Sequence, residues 1–324
     1  MRYYRIEIEG GTVFSSHDAL GQNNRGALQV EMDIPVAAFA NPGNAGAFIK
    51  VWGVPLSMIS QSKNLIRKSI KVFGGFKVGL PLAKPQQSGL LVQGWIYQAF
   101  GNWQGTDMSL DIVIQAGPAP PADKPIDYPK NISFIWKKGK ALGEAIKTAL
   151  SPSFQGYTVN TNISPNLTAL EDTTGAYGSL SAFAQYINQV SRALIKDPNY
   201  SGVDITITGT TINVIDNSSS PSSGTKRIAF NDLIGQPTWI QAPSIAFKTM
   251  MRADLKIGDE VQMPKTLITN SQQAMSSLVN QNAAQQGTFI LSSVHHIGNY
   301  KQPDAYSWVT EFNAFPKQTQ GATQ

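Results

Sequence analysis

His17, His295 and His296 are the only histidines in the chain, and cysteine is absent. Thiolate metal sites and disulfides are therefore impossible. His295-His296 sits in a run, Thr288 to Gly298, that reads as a strand. Neighbouring strand side chains point to opposite faces, so the two rings do not share one metal. Ser15, Ser16, His17 and Asp18 bring hydroxyl, imidazole and carboxylate together along the chain. A nucleophilic triad needs partners converging in space, and none is identifiable; these read as polar loop residues. Two adjacent acidic pairs remain for acid–base work, Glu171-Asp172 and Asp259-Glu260. Adjacent carboxylates on a strand diverge, and Gly258-Asp259 is turn chemistry. Gly74-Gly75 with Gly79 lacks the helix start that a phosphate loop requires, so a strand end accounts for it better. These residues predict no catalytic site, no metal and no cofactor.

The basic residues carry more information. No acid occurs between Asp33 and Asp107, yet Lys50, Lys63, Arg67, Lys68, Lys71, Lys77 and Lys84 all lie there. Such a field favours an acidic partner or nucleic acid, and these seven residues form the candidate basic interface or channel lining. Trp95, Tyr97, Phe100 and Trp103 cluster nearby. Aromatics beside positive charge can stack single-stranded bases. They equally suit packing at a barrel end or an interface, which is the reading preferred here.

The elements that position these residues follow from hydrophobic period. Leu28, Val30, Met32 and Ile34 alternate with Gln29, Glu31 and Asp33, the pattern of a half-buried strand. Further strands are predicted at the chain start, at 48–52, at Ser69 to Phe76, at Gly89 to Phe100 and at Met108 to Gln115, the last two joined across Gly101 to Gly105. A short helix from Leu56 to Ile66 follows Pro55, which a first helical turn tolerates. Residues 1–117 thus predict a β-barrel with one helix at its side. Residues 118–130 hold five prolines and predict an extended linker. Residues 131–238 change character. Leu142, Ala145, Ile146, Ala149 and Leu150 make one apolar helical stripe. Ser179 caps a second helix, with Leu180, Phe183, Ala184, Ile187, Val190 and Leu194 on one side and Pro198 beyond its end. A hairpin follows across Gly209-Thr210. This is an α+β domain. Residues 239–316 return to β, interrupted by a Gln/Asn-rich stretch at 270–287, and 317–324 predict a loose tail. The fold class is α+β, mainly β, with two antiparallel barrels around an α+β middle.

Composition narrows the function. Of the 324 residues, 41% are hydrophobic and only 15% charged, against about 25% in ordinary soluble domains. Ser, Thr, Asn, Gln and Gly replace the missing charge. A surface of this kind suits a protein packed in an assembly. The net charge of +5 is mild for this length. The start, Met1 to Glu9, alternates like a strand where a signal peptide needs an apolar run, so synthesis in a cytoplasm is expected. No apolar run is long enough to span a membrane, so no membrane anchor is expected.

Three passages then carry a resemblance. The first is Val51-Trp52-Gly53-Val54-Pro55-Leu56-Ser57-Met58-Ile59-Ser60-Gln61. The second is Ile245 to Met263, with Phe247 to Asp254 and Gly258-Asp259. The third is Gly287 to Pro316, running from Thr288 through His295-His296 to Trp308 and Phe312. In their succession they resemble the baseplate hub proteins of contractile-tailed bacteriophages, the phage Mu-like tail hub family. The Gln/Asn-rich stretch departs from the family's simplest pattern.

The resemblance implies two tail-tube-like barrels per subunit, at 1–117 and 239–316, in a homotrimer. Three chains then present six similar barrels, matching a sixfold tail tube to a threefold central spike. Implied partners are the tail tube protein, the central spike protein, the tape measure protein and other baseplate proteins, with DNA only in transit through the channel. The implied location is the tail baseplate of the virion, after synthesis in the host cytoplasm. Two other functions remain open on the residues alone: a cell-wall hydrolase of the tail tip, and a single-stranded nucleic-acid binder.

Overall fold

Alternation of apolar and polar residues sets the strands. In β1 (Arg2–Ile8), Tyr4, Ile6 and Ile8 are buried while Tyr3, Arg5 and Glu7 face outward. After it come β2 (Thr12–Ser15), β3 (Val30–Ala37), β4 (Ala47–Trp52), helix α1 (Leu56–Ser60), β5 (Ser69–Phe76), β6 (Gly89–Gln104) and β7 (Asp107–Gln115). The middle supplies β8 (Ile132–Trp136), α2 (Leu142–Leu150), β9 (Thr158–Asn162), β10 (Thr173–Tyr177), α3 (Leu180–Ile195), β11 (Asp204–Thr208) and β12 (Thr211–Ile215). The last part adds β13 (Lys226–Arg227), β14 (Thr238–Gln241), β15 (Ser244–Met250), β16 (Glu260–Gln262), β17 (Thr288–Asn299) and β18 (Trp308–Pro316). The computed structural model describes the chain except residues 41–45, 78–83, 127–128, 199, 219–223, 242–243, 265–286 and 318–324. The Gln/Asn-rich stretch, up to residue 286, and the tail from 318 therefore lie outside the described residues.

The mainly-β class with an α+β middle is the observed one, but the strands do not form two closed barrels. They join one 13-stranded sheet in the order β14-β15-β18-β17-β3-β4-β7-β6-β5-β1-β2, with β13 and β16 off this path. The cause is the length of β17. Its first residues pair β16, Glu260 opposite Ile290. Its later residues, Ser293 to Asn299, pair β3, with His296 opposite Ile34. Its other edge is taken by β18. A strand of 12 residues beside one of three leaves most of an edge unpaired, and β3 fills it. Sequence periodicity reports faces, not neighbours, so this joint was invisible in it.

The two strand groups share side chains as well. Met251, Ala253 and Trp308 are buried in the same core as Tyr4, Ile6 and Val72. The Trp308 indole N–H donates to the Gly75 carbonyl at 2.8 Å. The Arg2 guanidinium donates to the carbonyls of Asn299, Tyr300 and Asp304 and to the Ser307 hydroxyl, so β1 closes the β17–β18 turn. A separate core lies under β15 to β18, around Phe247, Phe289 and Phe312.

The middle region follows its sequence closely. Leu142, Ala145, Ile146, Ala149 and Leu150 are the buried face of α2. The Ser179 hydroxyl accepts from the Ala182 N–H at 3.2 Å, capping α3. Helix α3 ends at Lys196, in the left-handed region at φ 53°, before Pro198 is reached. β11 and β12 form the expected hairpin, with Gly209 at φ 59°. The β6–β7 turn lies elsewhere than expected. β6 runs on to Gln104, which pairs with Asp107, so the turn is Gly105-Thr106 and Gly101 to Gln104 are strand. Gly101 is strand because α1 packs there: a Cβ would lie 2.7 Å from the Ile59 carbonyl oxygen.

Candidate interaction surface

The seven basic residues fall into two kinds. Four have partners within the chain. Lys50 ion-pairs with Asp111 at 3.8 Å and lies 4.4 Å from the Trp52 ring centre. Arg67 donates to the carbonyls of Pro121 and Lys124, both at 2.6 Å, strapping the proline-rich segment to the sheet. Lys77 sits 4.5 Å from the Tyr3 ring centre. Lys84 ion-pairs with Asp232 at 3.1 Å. The other three, Lys63, Lys68 and Lys71, make no ion pair among the described residues. Lys63 follows α1, Lys68 leads into β5, and Lys71 lies exposed on β5 opposite Glu7. The structure thus scatters the seven but leaves three lysines in one short stretch, 63–71, outside any close ion pair among the described residues, with Lys68 near enough to Glu9 to help the Ser69 N–H hold its carboxyl down.

Around it the outer face of the sheet is polar by alternation. Glu31 accepts from the Trp52 indole N–H at 3.0 Å, and Asn102 donates to Asp111 at 2.8 Å. Farther along the sheet, Lys248 meets Glu311 at 2.6 Å. His295 bridges the two strand groups, 2.5 Å from Asp33 on β3 and 4.0 Å from Glu311 on β18. His296 points the other way, as the period of two demands. It is 3% exposed and hydrogen-bonds the Thr310 hydroxyl at 2.9 Å. Burial, with His295 next to it, pushes its pKa down to about 3, so it is neutral at pH 7.

His17 departs from the loop reading. It is 8% exposed, hydrogen-bonded to the Ser16 hydroxyl at 2.8 Å and edge-on to Tyr3. Burial lowers its pKa, and Lys77 and the chain's amino group add to the effect. The acidic pairs are held apart. Asp259 binds Lys226 and Glu260 binds Lys317, each at 2.7 Å, and Asp172 binds Lys137 at 2.9 Å. Of the aromatics, Trp95 is buried while Phe100 and Trp103 are 50% and 64% exposed on the β6–β7 hairpin.

Two clusters were missed in the sequence. Arg252, 4% exposed, makes a two-pronged pair with Asp254 at 2.7 and 2.6 Å and reaches Asp232 at 3.3 Å. Only the Arg252-Ala253-Asp254 spacing hinted at it. In the middle region Asp216 accepts from the Tyr200 hydroxyl and the Ser164 N–H, and Asn188 donates to Asp204. Burial pushes the Asp204 carboxyl up to about 7. No sequence signal marked either acid.

No protein-family model matches the chain, and no curated protein matches it. Solved structures do. The 43 kDa tail protein of prophage MuSo2 from Shewanella oneidensis superposes at a TM-score of 0.51 and 10% identity, over 98% of this chain and 100% of that one. The tail protein from Neisseria meningitidis MC58 gives 0.49 and 12%, over 97% and 96%. A PdpA–VgrG complex gives 0.48 and 7%, over 98% of this chain and 65% of that one. From end to end, at 10% identity, the chain has the fold of the prophage MuSo2 tail protein.

Proposed function

We propose that this chain is a structural protein of a phage-type tail, acting as a trimeric baseplate hub between a sixfold tail tube and a threefold central spike. The observation that carries this reading is the likeness to the MuSo2 tail protein over the full length of both chains. Three copies would each contribute the strand groups 1–117 and 239–316, with the α+β region 131–238 at the periphery or toward the spike. The ring would pass the tape measure protein and then DNA. Two features of the sheet support assembly. β2 and β14 end its path with unpaired edges among the described residues, and strand edges are places where another chain adds. A heterologous contact between copies closes into a ring when the rotation permits. Lys63, Lys68 and Lys71 are the basic residues proposed to face an acidic neighbour or the channel.

Light scattering of the purified chain, alone and mixed with its spike protein, tests the reading. A trimer in either sample is expected. A monomer that stays monomeric with spike present overturns it. Replacing Lys63, Lys68 and Lys71 together by Gln should lower tube docking and the yield of complete tails while leaving the trimer intact; unchanged tail yield removes these lysines from the interface.

A further inference from the structure

The far end of the β6–β7 hairpin and helix α1 form one block. A Cβ on Gly101 would lie 2.5 Å from a side-chain carbon of Ile59, so the helix rests on the strand at that point. Two residues on, Trp103 points to the same face of β6, and Met108 stands opposite it on β7. The Gly53 N–H donates to the Met108 carbonyl at 2.7 Å, which holds the approach to α1 beside the hairpin. Leu56 and Ile59 are three apart and share a face of the helix.

A helix packed on a hairpin ordinarily buries its apolar side chains, and this one leaves them partly open. α1 has no buried residue. Ile59 and Met108 are half-buried, while Leu56 and Trp103 are 50% and 64% exposed. Single exposed apolar residues are ordinary, but here the hairpin and the helix bring four to one place. Trp103 is also preset. Its indole N–H donates to the Gly105 carbonyl at 2.8 Å, and Gly105 takes φ 60° in the turn. With that donor spent inside the turn, the ring offers apolar area, held in place, to whatever meets it. A tryptophan so fixed loses little freedom on binding, which is the property of an interface anchor.

The rim of the block carries both signs of charge. Lys63 is exposed in the 3-10 turn Ser62–Leu65, which follows α1 and packs on β6. Asp107 is exposed at the hairpin tip, in the cross-strand pair next to that of Trp103 and Met108. A carboxylate so close to the tryptophan opposes sinking the ring into a lipid surface, whereas a protein can meet it with a cation.

We propose that this block docks end-on into a different protein, one that offers an apolar socket for Trp103 and Leu56, a carboxylate opposite Lys63 and a cation opposite Asp107. A second copy has the sheet edges β2 and β14 to pair with, and the block lies at strand ends that edge pairing leaves uncovered. Only this choice of a different protein over a second copy rests on the proposed ring.

The test mixes the full-length chain with the tail tube protein and, separately, with the spike protein. At least one is expected to bind, with a blue shift in tryptophan emission. The chain has six tryptophans, and Trp103→Phe, which keeps an aromatic anchor, should still bind while losing the shift. Trp103→Asp should weaken binding at least about tenfold and Lys63→Glu several-fold, with the mass of the chain alone unchanged by light scattering. Wild-type affinity in Trp103→Asp, binding of neither protein, or a shift with phosphatidylglycerol vesicles but with neither protein overturns the proposal. So does a folded Trp103→Asp chain that no longer assembles with itself, which puts a second copy on the block. A monomeric wild type that binds either protein through Trp103 removes the ring and keeps this surface. Melting curves report the fold of each variant; if Trp103→Asp melts early, Lys63→Glu and the shift lost in Trp103→Phe decide.

Discussion

Lowering the pH should loosen the β17 seam through one residue, His296. The side chain is 3% exposed, lies between β3 and β18, and has a pKa pushed down to about 3 by burial and by His295. In the unfolded chain the same imidazole titrates near 6.5. The folded state therefore disfavours the proton, so stability is complete above pH 6.5 and falls as pH drops toward 3. With these two values the loss works out at about 2 kcal/mol at pH 5 and about 3 kcal/mol at pH 4. That is a sizeable share of the roughly 5–15 kcal/mol that holds a domain folded.

The assay is urea unfolding at pH 7, 5 and 4, at one protein concentration, for the wild-type chain and His296→Gln. Gln does not titrate and can still reach the Thr310 hydroxyl, which also accepts from the Arg252 N–H at 3.1 Å. Its fixed cost appears equally at every pH. The wild type should lose about 3 kcal/mol more than the variant between pH 7 and pH 4. Parallel losses in the two proteins would refute the reasoning, because every other titrating group is common to both.

Asp204 should behave with the opposite sign. Its carboxyl is pushed up to about 7 by burial, so the penalty on the fold grows as pH rises from about 4 to 7, is complete above that, and is relieved as pH falls. Asp204→Asn should be more stable than wild type at pH 8, by about 2 kcal/mol, keep about a third of that advantage at pH 5 and lose most of it by pH 4. Arg252→Met removes the two-pronged partner of Asp254 and one of the two cations on Asp232, which keeps Lys84, and should cost about 2–3 kcal/mol in the same urea assay. Gly94→Ala places a Cβ 2.0 Å from the Gln115 carbonyl oxygen. It should cost about 3 kcal/mol and expose β6–β7 amides to hydrogen exchange.

The two longer helices were legible because each is decided locally, whereas the helix expected from Leu56 to Ile66 ends at Ser60 and gives way to a 3-10 turn at Ser62–Leu65. The apolar spacing of 142–150 and the cap at Ser179 name both the element and its buried face. Most strand faces were legible for the same reason, from Val30, Met32 and Ile34 to the opposed His295 and His296. What the chain order hid was the neighbour of each edge. Nothing near Ser293 to Asn299 says that β3 pairs there, since that depends on β16 being short and 265–286 intervening. The basic stretch shows the same limit. Seven residues in an acid-free window looked alike, but four find partners at Asp111, Tyr3, Asp232 and the 121–124 carbonyls. Partners that far away in sequence leave no periodic trace.

The joined sheet changes what a ring of such chains would be. Two barrels on a flexible tether could tilt independently, and each would have to find its own neighbours. Here β3–β17 pairing, the Arg2 guanidinium on the β17–β18 turn and the Trp308–Gly75 hydrogen bond fix one strand group against the other. A one-residue slip of β3 on β17 would turn Val30, Met32 and Ile34 outward and Glu31 and Asp33 into the core, so the register is strongly specified. In the proposed trimer, the folding of each chain then builds one contact between strand groups, three of the six in all. Only the three between copies remain to form on assembly, through the edges that one chain leaves open. An assembly of that kind needs fewer bimolecular steps than a ring of six separate units.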